Sequence, residues 1–129
     1  MTILDSNVWI SYFHEPDSRH KHARTLFKQI DGLVLVPEYI VVETCTVLNR
    51  VANKEVVIKF LDRTMNNRDI RVAPTSRQLF YQLIDFYTNH DHHQLSFIDV
   101  SLLFLSQYHT VHTFDKKLKR AIEKRKVRA

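Results

Sequence analysis

Leu33-Val34-Leu35-Val36, followed at once by Pro37, is a continuous apolar run without alternating polar residues. Such a run is typical of a strand that helices cover on both faces, as in a parallel sheet. Three further short apolar segments lie before and after it, and helical patterns separate them: Ile3-Leu4, residues 70–73 and residues 111–113. This alternation predicts an α/β fold, in which three layers, α/β/α, surround a short central parallel sheet.

The segments between the strands have helical periodicity. We expect one helix to end at Ile30 with Gly32 as its C-cap, and another to begin at Pro37. The remaining helices are predicted over 8–13, around 57–66, over 79–87, over 95–108 and in the basic C-terminal segment. The aromatic residues at helical spacing are expected to pack in the core rather than to stack on RNA bases: Trp9, Phe80, Tyr81, Phe86 and Tyr87.

A single glycine among 129 residues excludes several classes of function. Gly32 alone cannot form a phosphate-binding loop, a dinucleotide fingerprint or a nucleophile elbow. The single cysteine, Cys45, allows neither an intramolecular disulfide nor a cysteine-based zinc site, which favours a reducing compartment. We find no membrane-spanning run and no signal peptide, so we expect a single cytoplasmic domain over residues 1–129.

Positive charge is concentrated in the C-terminal segment 116–129. This segment has eight Lys and Arg residues against one Glu, a net charge of +7, whereas the whole chain carries +5. A basic segment of this density favours binding of a polyanion such as RNA, or of an acidic protein. The alternative is a solvated helix face without a specific partner.

Four carboxylates lie where an α/β fold places its active site. Asp5 ends the first strand, Asp115 follows the last, and Glu43 and Asp99 interrupt apolar helical runs. Because ligands of such folds bind at the carboxyl ends of the strands, we expect all four to converge. Their mutual repulsion would raise the pKa of at least one of them, and a hard divalent cation such as Mg²⁺ or Mn²⁺ would neutralise them.

Each acid also has a purely structural alternative. Asp5 and Asp115 would each cap the helix that follows, and Ser96-x-x-Asp99 matches a capping box. Glu43 would reach solvent from the edge of its helix. These alternatives do not explain why two acids at strand ends occur together with two more inside apolar helices.

The four acids stand in motifs that resemble those of the PIN-domain nucleases, most closely the VapC-type toxins. In chain order the motifs are Ile3-Leu4-Asp5-Ser6-Asn7-Val8-Trp9, Val41-Val42-Glu43-Thr44-Cys45-Thr46-Val47-Leu48, Leu95-Ser96-Phe97-Ile98-Asp99 and Val111-His112-Thr113-Phe114-Asp115. The resemblance covers nearly the whole chain. It departs from the family at Val100, where a small residue is common, at Leu118, where an aromatic is common, and in the basic segment, where a fifth strand is not evident.

The resemblance implies a Mg²⁺-dependent endoribonuclease, with Mn²⁺ as the alternative ion, that hydrolyses RNA by a metal-activated water. Asp5, Asp99 and Asp115 would hold the metal, and Glu43 would complete the catalytic set. The groups expected to hold these carboxylates are Asn7, Thr113 and Ser6. The groups expected to contact RNA are Lys116, Lys117, Lys119 and Arg120. The resemblance further implies the toxin of a type II toxin–antitoxin pair, with a cognate antitoxin and a homodimeric state.

Two other functions stay open at this point. One is a housekeeping PIN-type nuclease in RNA processing, and the other is a non-catalytic RNA-binding or protein-binding module of the same fold. The intact acids at all four positions argue against the module. The histidine-rich stretch His90-Asp91-His92-His93 is predicted to be a solvated loop, because its spacing fits no catalytic zinc signature.

Overall fold

The computed structural model describes residues 1–89, 91 and 94–128. The centre of this part is a parallel sheet of four strands, β1 (Thr2–Leu4), β2 (Val34–Pro37), β3 (Ile70–Ala73) and β4 (Thr110–His112). Their order across the sheet is β3-β2-β1-β4. All four were predicted, and β2 is buried along most of its length, as its continuous apolar run requires.

Helices connect the strands in pairs. Within the described residues these are α1 (Ser6–Phe13) and α2 (His20–Gln29), α3 (Glu38–Val51) and α4 (Lys54–Met65), then α5 (Arg77–Asn89) and α6 (Phe97–Leu105), with α7 (Lys116–Arg128) after β4. The chain steps from β1 to β2 to β3 in one direction and then returns past β1 to β4. Because parallel crossovers are right-handed, α1–α4 cover one face and α5–α6 the other. The topology confirms the predicted α/β/α architecture.

The core lies around β1 and α1, in the middle of the sheet. Ile3, Leu4 and Trp9 have no exposed surface. The Trp9 ring meets Phe27 and Phe60 edge to face, at centroid distances of 5.1 and 5.5 Å. Burial of this segment fixes the end of β1, and therefore the position of the residue that follows it.

The ends of two helices differ from the prediction. The C-cap of α2 is Ile30, an extended residue packed against the core, and not Gly32. Gly32 has φ of +88° and serves the turn into β2. Pro37 closes β2, and α3 begins at Glu38. Helix α6 is shorter than the apolar run 95–108, because Ser96 caps its start and the chain turns at Ser106.

The aromatic residues of α5 do not all enter the core, so that prediction was wrong for most of them. Phe80, Tyr81 and Tyr87 are 48%, 55% and 43% exposed, whereas Trp9 is fully buried as expected. Leu83 is the only buried residue of α5. The apolar face of α5 is therefore wider than the part that α6 covers.

The basic segment forms α7, a helix docked on the fold, and the sheet of the described residues has no fifth strand. Leu118 and Ile122 are buried on its inner side. Arg125 Nη1 donates a hydrogen bond of 3.0 Å to the Leu103 carbonyl, and its guanidinium lies 5.2 Å from the Phe86 ring centroid. Arg125 thus holds α7 against α6 instead of standing free in solvent.

Two further predictions concern the histidine-rich stretch and membrane-spanning segments. The histidines of His90-Asp91-His92-His93 lie outside the described residues, so the predicted loop stays a prediction. In the part of the chain that the structure describes, none of the helices combines the length and apolar character that crossing a bilayer requires.

Candidate active site

The carboxyl ends of β1 and β4 lie side by side at the point where the connections of the sheet run in opposite directions. In open α/β sheets, this switch point is where ligands bind. Asp5 follows β1, and its backbone N–H donates to the His112 carbonyl at 2.9 Å. Two of the four predicted motifs therefore meet at this edge.

Asp5 is buried, with 4% of its surface exposed, and both carboxylate oxygens accept hydrogen bonds. Oδ1 accepts from the Ser6 backbone N–H at 2.7 Å, and Oδ2 accepts from Thr113 Oγ1 at 2.8 Å and from Asn7 Nδ2 at 3.4 Å. Asn7 also donates to Thr113 Oγ1 at 3.2 Å, and its Oδ1 accepts from the Phe114 N–H at 3.1 Å. This network orients the carboxylate and joins the ends of the two strands.

The pKa of Asp5 is raised from 3.8 to about 6, mainly because burial removes water from the carboxylate. The hydrogen bonds from Thr113 and Ser6 lower this pKa, whereas the negative charges of Asp99 and Glu43 raise it. A raised pKa for one of the acids was predicted and is confirmed. Desolvation, however, contributes more to it than the repulsion that was expected to cause it.

Glu43 and Asp99 approach Asp5 from two helices. The Ser6 hydroxyl donates to Glu43 Oε1, which links α1 to α3. Asp99 lies in the first turn of α6 and forms the capping box with Ser96, with both hydrogen bonds at 3.1 Å. The structural alternative for Asp99 is therefore correct, and the same carboxylate still acts on the pKa of Asp5.

Asp115 stands at the edge of this group. Its Oδ1 accepts from the backbone N–H groups of Lys117 and Leu118, at 2.8 and 3.4 Å, and so caps α7. Its own N–H donates to Thr113 Oγ1 at 3.0 Å. Asp115 is not among the charges that shift the pKa of Asp5. The structure thus brings Asp5, Glu43 and Asp99 together and connects Asp115 to them through Thr113.

The donor set fits a hard divalent cation in its chemistry. In the described residues, no three His, Cys, Asp or Glu side chains are already close enough to hold a metal ion. The charges of Asp99 and Glu43 nevertheless act on the buried carboxylate of Asp5, and none of the groups that shift the pKa of Asp5 is a cation. Carboxylate oxygens are the ligands that Mg²⁺ and Mn²⁺ prefer, so the chemistry of these side chains suits such an ion.

A cleft of about 930 Å³ lies beside the carboxylates, between α3, α5 and α6. Its lining is mostly apolar and includes the exposed side chains of Val42, Phe80 and Phe97. Of the four acids only Glu43 lines it, so the cleft is a neighbour of the carboxylates and does not contain them all. Large apolar surfaces of this kind commonly serve as contact sites.

Tyr39 is a neighbour of the site that the sequence analysis did not single out. Its hydroxyl accepts a hydrogen bond of 2.8 Å from Ser101 Oγ, and its pKa is raised by burial and, to a smaller extent, by the charge of Asp5. The sequence does contain a signal for Tyr39: Tyr39 and Glu43 are four residues apart on α3 and therefore share a face of that helix.

The four basic residues predicted to contact RNA are all exposed on α7: Lys116, Lys117, Lys119 and Arg120.

Comparison with protein-family models gives a match to the PIN domain over residues 2–124, which includes all four carboxylates. The chain belongs to the PIN domain family. Among solved structures, this PIN domain is similar to VapC20 of Mycobacterium tuberculosis, described as a toxin that cleaves the sarcin-ricin loop. The TM-score is 0.82, the identity is 20%, and the match covers 94% of this chain and 95% of that one. At this identity the likeness establishes the fold. No curated protein matches the sequence.

Proposed function

We propose that this PIN domain is a Mg²⁺-dependent endoribonuclease and the toxin of a type II toxin–antitoxin pair. The observation that carries the proposal is the buried Asp5 carboxylate, oriented by Thr113 and Asn7 and close enough to Asp99 and Glu43 for their charges to raise its pKa. Membership of the PIN family supports the nuclease, and the VapC20-like fold supports the toxin.

Asp5, Asp99 and Asp115 would hold the Mg²⁺ ion, with Mn²⁺ as the alternative. When bound, such an ion supplies a water of lowered pKa and positive charge for the phosphoryl oxygens. Because the pKa of Asp5 is about 6, its carboxylate is mostly ionised at pH 7 and ready to bind a cation. Thr113 and Asn7 keep Oδ2 in place by donating to it. This preorganisation lowers the cost of assembling the site.

Glu43 has a different task in this scheme. Its Oε1 accepts from the Ser6 hydroxyl, and this bond holds the Glu43 carboxylate in the lining of the apolar cleft. A carboxylate held there would orient the attacking water and accept its proton, or ligate the cation directly. The exposed basic residues in the first turns of α7 follow Asp115 directly and would attract the RNA backbone.

The proposed partners are RNA as the substrate and a cognate antitoxin, with the protein acting as a homodimer in the cytoplasm. The apolar cleft beside Glu43 supports a protein partner, because Val42, Phe80 and Phe97 expose apolar surface there.

The test is cleavage of RNA by purified Asp5→Asn and Asp99→Asn variants in Mg²⁺ and in EDTA. Both variants keep the shape of the side chain and remove a charged ligand, so we expect a loss of cleavage of at least about 10²-fold with an intact fold. Asp31→Asn, at an exposed position between α2 and β2, is the matched control. Undiminished cleavage by either site variant would contradict the mechanism.

A second experiment separates a toxin from a housekeeping nuclease. Expression of the wild type should arrest growth if the protein is a toxin.

A further inference from the structure

A second cavity, of about 360 Å³, lies between α2, β4 and α7. We call it the α2–α7 groove. One wall is formed by His22 and Leu26 of α2, the floor by residues 110–114, and the other wall by Lys119 and Lys126 of α7. A cavity of this size is large enough for a small ligand or for one unit of a polymer.

The α2–α7 groove has a basic wall. Lys119 and Lys126 are seven residues apart, which is two helical turns, so they stand above one another on the same side of α7. Their charges act on His112 in the floor of the groove. Burial has the largest effect in lowering the pKa of His112, and both lysines lower it further. Glu123 is the one acidic side chain among the described lining residues. The groove therefore presents net positive charge to a ligand.

The groove begins where the candidate active site ends. Thr113 lines the groove and also donates to Asp5 Oδ2 at 2.8 Å. Phe114, the next residue, donates its N–H to Asn7, and its ring contacts His22 at 5.0 Å between centroids. The Arg19 guanidinium lies 5.5 Å from the same ring. A strand held with a phosphate at Asp5 and running along β4 would place its neighbouring phosphates in this groove.

We propose that the α2–α7 groove binds the phosphodiester backbone of the RNA strand next to the bond that is cut. Lys119 and Lys126 contact the phosphates, and Arg19 adds positive charge beside Phe114. This inference rests on the proposed nuclease function and adds the path of the strand to it. Two ammonium groups on the same side of one helix suit a repeating phosphate chain, which binds mainly by charge.

The experiment measures the salt dependence of binding of a labelled single-stranded RNA in EDTA, where cleavage is prevented. The Lys119→Gln/Lys126→Gln variant removes both charges of the groove wall. If both contact phosphates, the slope of log K against log salt decreases in size by about 1.4, at about 0.7 for each lost contact. Glu123→Gln is expected to act in the opposite direction and to tighten binding, because it removes the negative charge from the lining.

The matched control is Lys21→Gln/Lys28→Gln. These exposed lysines have the same spacing on α2, the helix of the opposite wall, and do not line the groove. We expect the control to change the slope by less than half as much. Equal changes in both variants would overturn the proposal, because the effect would then be one of net charge. An equal loss of polyglutamate binding in the groove variant would also overturn it, in favour of an acidic protein.

The two proposals fail in different ways. If the wild type cleaves RNA but the groove variant binds RNA like the control, the proposal for the groove is overturned and the nuclease proposal is kept. If the slope of log K against log salt decreases as expected in the groove variant but the wild type cleaves no RNA in Mg²⁺, the groove binds RNA and the nuclease proposal is overturned. Thermal unfolding of the groove variants should match that of the wild type, because Lys119, Glu123 and Lys126 are all exposed.

Discussion

Thr113 Oγ1 donates a hydrogen bond of 2.8 Å to Asp5 Oδ2 across 108 positions of sequence. This bond is the largest influence that opposes the effect of burial on the pKa of Asp5. It favours the ionised form of the carboxylate and ties the end of β4 to the end of β1. Thr113 is therefore a positioning residue for Asp5, and its removal has a measurable consequence.

Thr113→Val keeps the shape of the side chain and removes the donated hydrogen bond. We expect the pKa of Asp5 to rise above its value of about 6, because a hydrogen bond to the charged form lowers a pKa. The measurement is an NMR titration of the Asp5 carboxyl carbon. Thr110→Val, at an exposed position of the same strand, is the control and should leave that pKa unchanged. A fall in the pKa of Asp5 in the Thr113 variant would contradict the assignment.

The pKa of Asp5 also predicts the pH dependence of stability. Its folded pKa of about 6 exceeds the ordinary value of 3.8, so the folded state binds more protons between these two values. The free energy of unfolding should therefore fall as the pH rises from about 4 to about 6, by up to about 3 kcal/mol, and this contribution should then be constant. Urea unfolding in EDTA measures this. Asp5→Asn should lack that decrease, and an equal decrease in the variant would assign it to other groups.

Mg²⁺ should stabilise the wild type, because a cation that binds only the folded state shifts the unfolding equilibrium. At a concentration 100 times its Kd the gain is about 2.7 kcal/mol. Asp5→Asn should lose most of this response, whereas Asp31→Asn should keep it. The measurement is Tm in EDTA and in Mg²⁺ at constant ionic strength. A wild type that is indifferent to Mg²⁺ would mean that the capping roles of Asp99 and Asp115 are their main ones.

Arg125 should contribute to stability more than to RNA binding. Arg125→Gln removes the hydrogen bond to the Leu103 carbonyl and the contact with the Phe86 ring, and should lower the free energy of unfolding by about 1–3 kcal/mol. Lys124→Gln removes the same charge from the exposed side of α7 and should change stability by less than about 0.5 kcal/mol. Equal stabilities of the two variants would show that α7 does not depend on this contact.

The order of elements could be predicted because it is encoded locally. The apolar run 33–36 indicates a strand covered on both faces, and the helical spacing of residues 23–30 indicates an amphipathic helix. The end of α2 could not be predicted from Gly32. The chain leaves the helix at Ile30 because that side chain packs on the core, and such packing depends on residues far away in sequence.

The four acids could be located from their motifs, but their contacts could not. The Ser6–Glu43 hydrogen bond joins residues 37 positions apart and exists only because α1 packs against α3. Likewise, the positive charge of Arg125 suggested a solvated or RNA-binding residue, whereas its docking on α6 depends on the tertiary structure. Sequence patterns indicate which groups carry chemistry, and packing decides which of them are free to use it.

The central position of β1 has a consequence for how the protein is made. Of the four strands that the structure describes, β1 is synthesised before the others, yet one of its two neighbours in the sheet is β4, which is synthesised after them. A nascent chain without residues 110–113 contains Asp5 but has neither the pairing strand nor the hydroxyl that orients the carboxylate. Pairing between such distant segments is intrinsically slow. An interval therefore separates the synthesis of Asp5 from the completion of the network that orients its carboxylate.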